Sequence, residues 1–299
     1  MDTRIIEIRT EPRILHFEQA NGASFLSVYK HTEDMYMNIH DEMEIIYVHT
    51  GTLRLFADDA LYELHGGEAI ILNGCCVHFG LASPSPDTWY DAILVDCHRL
   101  CLAENDDPET NIYRKLIDHE LFFKTCILRD ENAPALLAEI RRILSVAAGN
   151  SPFWKMQIIA AYYSIAAVSL ETGLLREAPT EPAVQKEQWK QDMELYISFK
   201  KYVIRHYHKA ISMPEIADAL HISVSKLYKV CKWILGYPPV EYIYRCRLMM
   251  AAQMLKSTGM PVSEISYACG FRNLSYFIRR FRKIYGLTPS RFRLCYTEK

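Results

Sequence analysis

The sequence predicts an α+β chain: an antiparallel β-barrel first, then an all-α domain. Three observations lead there. Up to Asp96, apolar residues alternate in short runs broken by turn residues, the period of strands with one buried face. Beyond Asp107-Pro108 the period lengthens to about 3.6, that of an amphipathic helix. In the final third of the chain one helical plan occurs twice, and an internal repeat of that kind rarely arises by chance.

The elements follow in order. Ser24 to Tyr29, Glu44 to Val48, Thr52 to Phe56 and Ala69 to Leu72 read as strands. Gly51, Asp58-Asp59, Gly66-Gly67, Asn73-Gly74, Pro84 and Pro86 punctuate them. Many short strands with turn chemistry between them argue for an antiparallel barrel or sandwich. Pro134 to Ala148 carries Leu136, Leu137, Ile140, Ile143, Leu144 and Ala147 on one helical stripe. Phe153 to Leu175 is a longer helix, apolar around much of its circumference. Such a helix needs partners on more than one side, and a second copy of the chain is the preferred partner. Arg176 to Gln188, with two prolines and many charges, reads as an exposed linker. The expected division is therefore a barrel over 1–107, a helical dimerisation region over 108–175, a linker over 176–191 and a helical domain over 192–299.

Charge separates the two ends. From Asp192 onward there are 18 Lys+Arg against 7 Asp+Glu, whereas the preceding residues hold 16 against 29. A basic domain that meets a polyanion, joined to an acidic one with another task, explains that asymmetry. MDTRIIEIRTEPR lacks the apolar stretch of a signal peptide, and Ile158 to Leu170 is too short for a membrane span. A cytoplasmic location and no membrane contact are expected. The nine cysteines form no CxxC pair, so reduced, buried, inert thiols are expected. The pair Cys75-Cys76 has no basic neighbour in sequence to activate it.

In the first copy of the repeat, Met213 to Leu220 is a short helix with Pro214 at its opening, His221-Ile222 turn, and Ser223 caps a helix running to Leu235-Gly236. In the second, Pro261 opens a helix through Ala268, Cys269-Gly270-Phe271 turn, and Asn273 caps a helix ending at Tyr285-Gly286. Each copy is a helix-turn-helix. Leu227, Val230, Cys231 and Ile234 form the inward stripe of one second helix, and Phe277, Phe281 and Ile284 that of the other. An apolar back fixes the helix, and a basic, hydrogen-bonding front suits the major groove of duplex DNA. The expected DNA-contacting set is Ser223, Ser225, Lys226, Tyr228 and Lys229 in the first unit. In the second it is Asn273, Ser275, Tyr276, Arg279, Arg280 and Lys283. Val240 to Lys256 would join the units.

The stretch PVSEISYACGFRNLSYFIRRFRKIYGLTPSRFR resembles the signature of the AraC/XylS family of bacterial transcription regulators. IADALHISVSKLYKVCKWILGYPPVEYIYRCRL is similar to that family's first helix-turn-helix. The resemblance implies that Ser225, Tyr228, Lys229, Ser275, Tyr276 and Arg279 read bases. Cys231 stands where the family usually has Phe, and Ser266 where it usually has Ala, both interior positions that bear on packing.

NIHDEMEIIYVHTG and HGGEAIILNGCCVHFGL resemble the cupin-like, sugar-sensing barrel of many AraC-type regulators. Metal-binding cupins hold an ion with two histidines spaced HxH, a Glu and a later His. Here Asn38 occupies the first position, a poor ligand beside imidazole, so neither metal nor cofactor is expected. His40, Glu44 and His78, with Tyr90 or Asp91, are instead expected to bind a small hydroxylated effector, as a few polar groups in an apolar wall can. No Gly-rich phosphate loop or GxSxG elbow is present, and the chain is not expected to be an enzyme. The expected function is a homodimeric DNA-binding regulator that answers to a small molecule such as a sugar, controls carbohydrate-utilisation genes, and acts by re-placing its DNA-binding domains or recruiting RNA polymerase. The alternatives are a regulator whose barrel only dimerises, or a cupin metalloenzyme with a DNA-binding tail.

Overall fold

A computed structural model of the chain describes residues 14–16, 26–31, 39–58, 60–81, 87–100, 112–177 and 183–297. Of the residues named in the sequence readings, Ser24, Phe25, Asn38, Asp59, Pro84, Pro86, Cys101, Asp107 and Pro108 lie outside these residues.

Among the described residues eight strands come first: β1 (Ile14–His16), β2 (Leu26–His31), β3 (Met43–Thr50), β4 (Thr52–Ala57), β5 (Ala60–His65), β6 (Ala69–Leu72), β7 (His78–Leu81) and β8 (Trp89–Val95). Short helices α1 (Cys97–Leu100) and α2 (Ile112–Ile117) and strands β9 (Leu121–Phe123) and β10 (Ile127–Leu128) follow. Next come α3 (Pro134–Ala148), α4 (Trp154–Glu171) and β11 (Leu175–Glu177). The remainder is helical: α5 (Ala183–His206), α6 (Met213–Ala219), α7 (Val224–Leu235), α8 (Pro239–Ser257), α9 (Val262–Ala268), α10 (Leu274–Tyr285) and α11 (Pro289–Thr297).

Two antiparallel sheets, ordered β1-β2-β8-β3-β6-β10 and β5-β4-β7, face each other. The period of two sorts their side chains. In β3, Ile46 lies opposite Ile70 and Ala92, and these point between the sheets. Ile45, opposite Ile71 and Ile93, points outward into the layer formed by α3 and α4. Met43 through Val48 are all buried, the mark of a strand covered on both faces. The small sheet is covered too: Phe56, Val77 and Phe79 on its outer face share a core with α8, α9, α10 and α11. The barrel is thus held between the α3/α4 pair on one side and the C-terminal helices on the other.

The expected linker over 176–191 is reported differently by the structure. Arg176 and Glu177 belong to β11, paired with β9, and α5 is helical from Ala183. Trp189 anchors its early turns, its indole Nε1 donating to the His119 carbonyl at 2.7 Å. One buried aromatic in a polar stretch carried the signal that composition averaged away.

Both helix-turn-helix turns use the same device. Ile222 N donates to Ala217 O at 2.9 Å, and Phe271 N to Ser266 O at 3.0 Å. The bonds close over a left-handed residue, His221 (φ 55) in the first turn and Gly270 (φ 79) in the second. Only glycine suits the second place, since a Cβ there would lie 2.5 Å from Tyr207 O and 3.0 Å from Arg247 Nε. Gly270→Ala should therefore lower stability by at least about 1–3 kcal/mol, the usual cost of strained backbone. A chemical melt of the variant beside the parent chain measures it, and an unchanged midpoint refutes the assigned close contact.

Candidate nucleic-acid interface and sensor site

The first unit folds on Leu227, Val230 and Cys231 of α7, packed against Phe199 and Val203 of α5, Ile216 of α6 and Ile243 of α8. The second folds on Phe277 and Phe281 of α10, packed against Ile265 of α9 and Leu248 and Ala252 of α8. Cys231 and Ser266, the two departures from the family pattern, are both fully buried in these interfaces. The N-caps stand where the sequence placed them. Ser223 Oγ accepts from Lys226 N at 3.1 Å, and Asn273 Oδ1 from Tyr276 N at 2.8 Å. Each side chain thereby satisfies a donor that the first helical turn would otherwise leave free.

With their backs buried, α7 and α10 expose Ser225, Tyr228 and Lys229, and Ser275, Arg279 and Lys283. Three other residues of the expected set turn toward the scaffold instead. Lys226 forms an ion pair with buried Asp192 of α5. Arg280 reaches Glu241 at the start of α8 and lies over the Tyr244 ring, 5.3 Å from its centroid. Tyr276 is half-buried, edge-on to Tyr244 at 5.4 Å. Their partners lie on other helices, so helical spacing alone assigned them outward. The exposed set gains Lys232, Arg272 and Arg282. For Lys232 and Arg282 the signal was legible, since they occupy equivalent places in the two copies.

In the sensor, His40, Glu44 and His78 come together. Glu44 Oε2 lies 3.1 Å from His40 Nε2 and 2.7 Å from His78 Nε2, at one end of the space between the sheets. Glu44 and His78 are buried. Burial alone would push the Glu44 carboxyl up, but His78 and His40 hold its pKa at about 2. Tyr90, also buried, belongs to the same interior core. Asp91 does not join them. It lies opposite Tyr47 on the outer face of the large sheet and takes a hydrogen bond from His49 Nε2 at 2.8 Å. Neighbouring residues of a strand face opposite ways, so Tyr90 and Asp91 cannot share a site.

The sensor and the helical domain meet along a seam. Lys200 of α5 is buried, and its Nζ donates to Asp58 Oδ1 at 2.7 Å. Burial pulls its pKa down, but the Asp58 charge outweighs this and keeps the ammonium protonated. Beside it, Lys201 Nζ donates to Asp41 Oδ1 at 2.6 Å. Farther along, Lys256 Nζ donates to Gly80 O at 2.9 Å, and Phe56 packs on Tyr285. A cavity of about 790 Å³ opens at this seam, with Asp41, Asp58 and Cys75 on one wall and Trp189, Tyr196 and Lys200 on the other. Burial and the Asp41 carboxylate push the Cys75 thiol up to about 12, so it is unreactive, as the sequence suggested. Cys295, by contrast, is exposed, against the expectation of buried thiols throughout.

Comparison with known proteins finds a match for each half. Residues 216–294 match the family described as a helix-turn-helix domain, and residues 24–165 the AraC-like ligand binding domain. The matches place an AraC-like ligand binding domain ahead of a helix-turn-helix domain along the chain. It is 33% identical over 91 residues to the probable transcriptional regulator LumQ of Photobacterium leiognathi, a match spanning 30% of this chain and 37% of that one. Over 284 residues it is 23% identical to the HTH-type transcriptional regulator YisR of Bacillus subtilis, covering 91% of this chain and 92% of that one. Among solved structures it resembles ToxT from Vibrio cholerae, at 13% identity and a TM-score of 0.46, over 92% of this chain and 98% of that one.

Arg279→Ala should weaken binding to a selected operator by about 1–3 kcal/mol and relax preference at one base position. Arg280→Ala should instead lower stability, because it leaves Glu241 without that partner. Titrations on operator variants beside thermal melts separate the two, and the reverse pattern would refute the assignment of faces.

Proposed function

We propose that the chain is a cytoplasmic homodimer that binds operator DNA sequence-specifically and is switched by a small polar effector such as a sugar. The carrying observation is the pairing of two exposed basic helix faces, α7 and α10, with a sensor docked against both units. Relatives named for sugar systems support the effector class only in outline. The xylose operon regulatory protein of Escherichia coli is 36% identical, over 92 residues that make up 31% of this chain. Control of carbohydrate-utilisation genes, and any recruitment of RNA polymerase, rests on that outline.

Two places suit an effector. The polar pole of His40, Glu44 and His78, with Tyr90 nearby, offers hydrogen-bonding groups in an apolar wall. The seam cavity has the volume of a small-molecule site, and it touches both domains. A ligand shifts an equilibrium only by binding its two states unequally. The seam meets that requirement directly, because one wall belongs to the sensor and the other to α5.

The dimer reading rests on α4. One face, carrying Ile158, Ala161, Tyr162 and Ile165, is buried against the sensor. The other leaves Phe153 (65% exposed), Met156 (71%) and Leu170 (43%) to solvent, with Ala160 and Ala167 between them. A helical stripe of that kind, small residues flanked by large apolar ones, fits the same stripe on a second copy.

Selection of full-length protein against a random pool of duplex oligonucleotides tests the DNA reading. Recovery of one consensus, with affinity falling steeply as salt rises through counterion release, is expected; retention without any sequence preference would refute it. Met156→Glu should convert the dimer to a monomer of unchanged helical content, as measured by light scattering on an eluting column. A variant that remains dimeric removes α4 as the interface.

A further inference from the structure

We propose that Lys209 and Arg272 together hold the DNA backbone between the two recognition helices, as a phosphate anchor shared by both helix-turn-helix units. The proposal rests on the DNA-binding reading and adds a third point of contact to it, one that carries charge but no base preference.

Lys209 lies on the chain that leaves α5, shortly before Ser212, the N-cap of α6. Arg272 comes directly before Asn273, the N-cap of α10. In a helix-turn-helix the first helix crosses the DNA backbone, and the start of the second enters the major groove. Both residues therefore stand at the ends of their units where a duplex arrives. They also meet at one joint. A Cβ on Gly270, close before Arg272, would lie 2.5 Å from Tyr207 O, close before Lys209. The buried Arg247 guanidinium occupies that joint, its Nη2 donating to Lys209 O at 2.7 Å. One residue of the pair thus belongs to each unit, and the joint lies between them.

Charge supplies an independent observation. Lys209 and Arg272 are both exposed, and exposed His208 precedes the first. Among the described residues none of the three has an ion pair with a carboxylate, whereas Lys226 and Arg280 are held by Asp192 and Glu241. The cations act on one another instead. Burial draws the Arg247 pKa down, and the charge of Arg272 adds to it. Burial also pulls the His208 pKa down, helped by Lys209 and His206. Like charges gathered in this way work against the compact state. A duplex, with one negative charge for about every 1.7 Å of its axis, supplies what the protein leaves out.

Phosphate suits this place better than a base edge. Neither residue lies within α7 or α10, the helices shaped to fill a groove. An ammonium on a flexible stem and a guanidinium fork both bind phosphate oxygens. Such contacts fix register and orientation and carry no sequence information. A backbone segment held at the joint would set the distance between the proposed contacts of Lys229 and Arg279. The anchor is complete only when both units sit on one duplex.

The test uses full-length protein and the operator it selects from a random pool. Lys209→Gln and Arg272→Gln should each keep the circular dichroism and the consensus of the parent. Each should flatten the fall of log affinity against log salt by about 0.9, the share of one phosphate. That slope amounts to about 5-fold weaker binding at about 0.15 M salt, vanishing near about 1 M. Arg272→Gln should melt no lower than the parent, because the charge it removes opposed Arg247; a residue with only a structural role would melt lower. Ethylation of phosphates between the two half-sites should weaken the parent's binding and leave that of the double variant unchanged. Arg142→Gln, at an exposed position of α3, is the control and should keep the parent's salt slope. A slope unchanged in either test variant, or a changed consensus, overturns the anchor. If the parent binds no duplex, the regulator reading falls and takes the anchor with it; if the parent selects an operator and the variants match it, only the anchor falls.

Discussion

The guanidinium of Arg247 ties the two helix-turn-helix units together. It is buried on α8, and its Nε and Nη2 donate to Tyr207 O at 2.8 Å and Lys209 O at 2.7 Å, the chain that leaves α5. Burial draws its pKa down, so the cation must recover in hydrogen bonds what it loses in hydration. Carbonyls at the end of a helix suit it, being free of intrahelical partners and at the negative end of the dipole. The same side chain lies against Gly270 of the second turn. One group therefore fixes the exit of α5 in the first unit and the turn of the second. The relative placement of α7 and α10, on which any bipartite reading of DNA depends, follows from it.

Against that frame the seam with the sensor is less permanent. Lys200 is buried, whereas the side chain of its partner Asp58 is about half exposed. Separating the domains would rehydrate both charges, so the pair contributes less than a fully buried one would. The apolar contacts of Phe56 and Phe79 with the second unit supply the rest. A ligand in the seam would bias this arrangement only as far as it binds the docked and undocked states unequally.

Much of the fold was legible from short apolar runs and helical stripes. Runs bounded by turn residues revealed β3, β4 and β6, and the stripes of α7 and α10 revealed the helices that carry Lys229 and Arg279. The turns were legible from Gly270, Ser223 and Asn273, whose chemistry is local. What failed was anything decided by a distant partner. Lys226 and Arg280 read as outward because Asp192 and Glu241 lie 34 and 39 residues away. Tyr90 and Asp91 were left as alternatives, and the alternation of β8 puts only Tyr90 on the inner face. The seam had left a trace as well. Phe56 follows Leu55 and breaks the alternation of β4 with a large apolar residue on the outer face, which water would not favour unless something covered it.

The element that joins these parts is α5. Its Lys200 and Lys201 reach the sensor, Trp189 reaches the His119 carbonyl, and Phe199 and Val203 pack inside the first unit. The second unit touches the sensor elsewhere, through Tyr285 and Lys256. A ligand in the seam cavity would therefore bear on α5, and through it on α7, before it bore on α10. Arg247 then determines how far the second unit must follow. If its bonds to Tyr207 and Lys209 hold, a shift of α5 turns α7 and α10 as one body, and the proposed fit of the pair to an operator would change as a whole. If they yield, only the first unit moves and the spacing between the helices changes. The two carbonyl acceptors, the near contact with Gly270 and the absence of a competing carboxylate among the contacts described for Arg247 favour the first course.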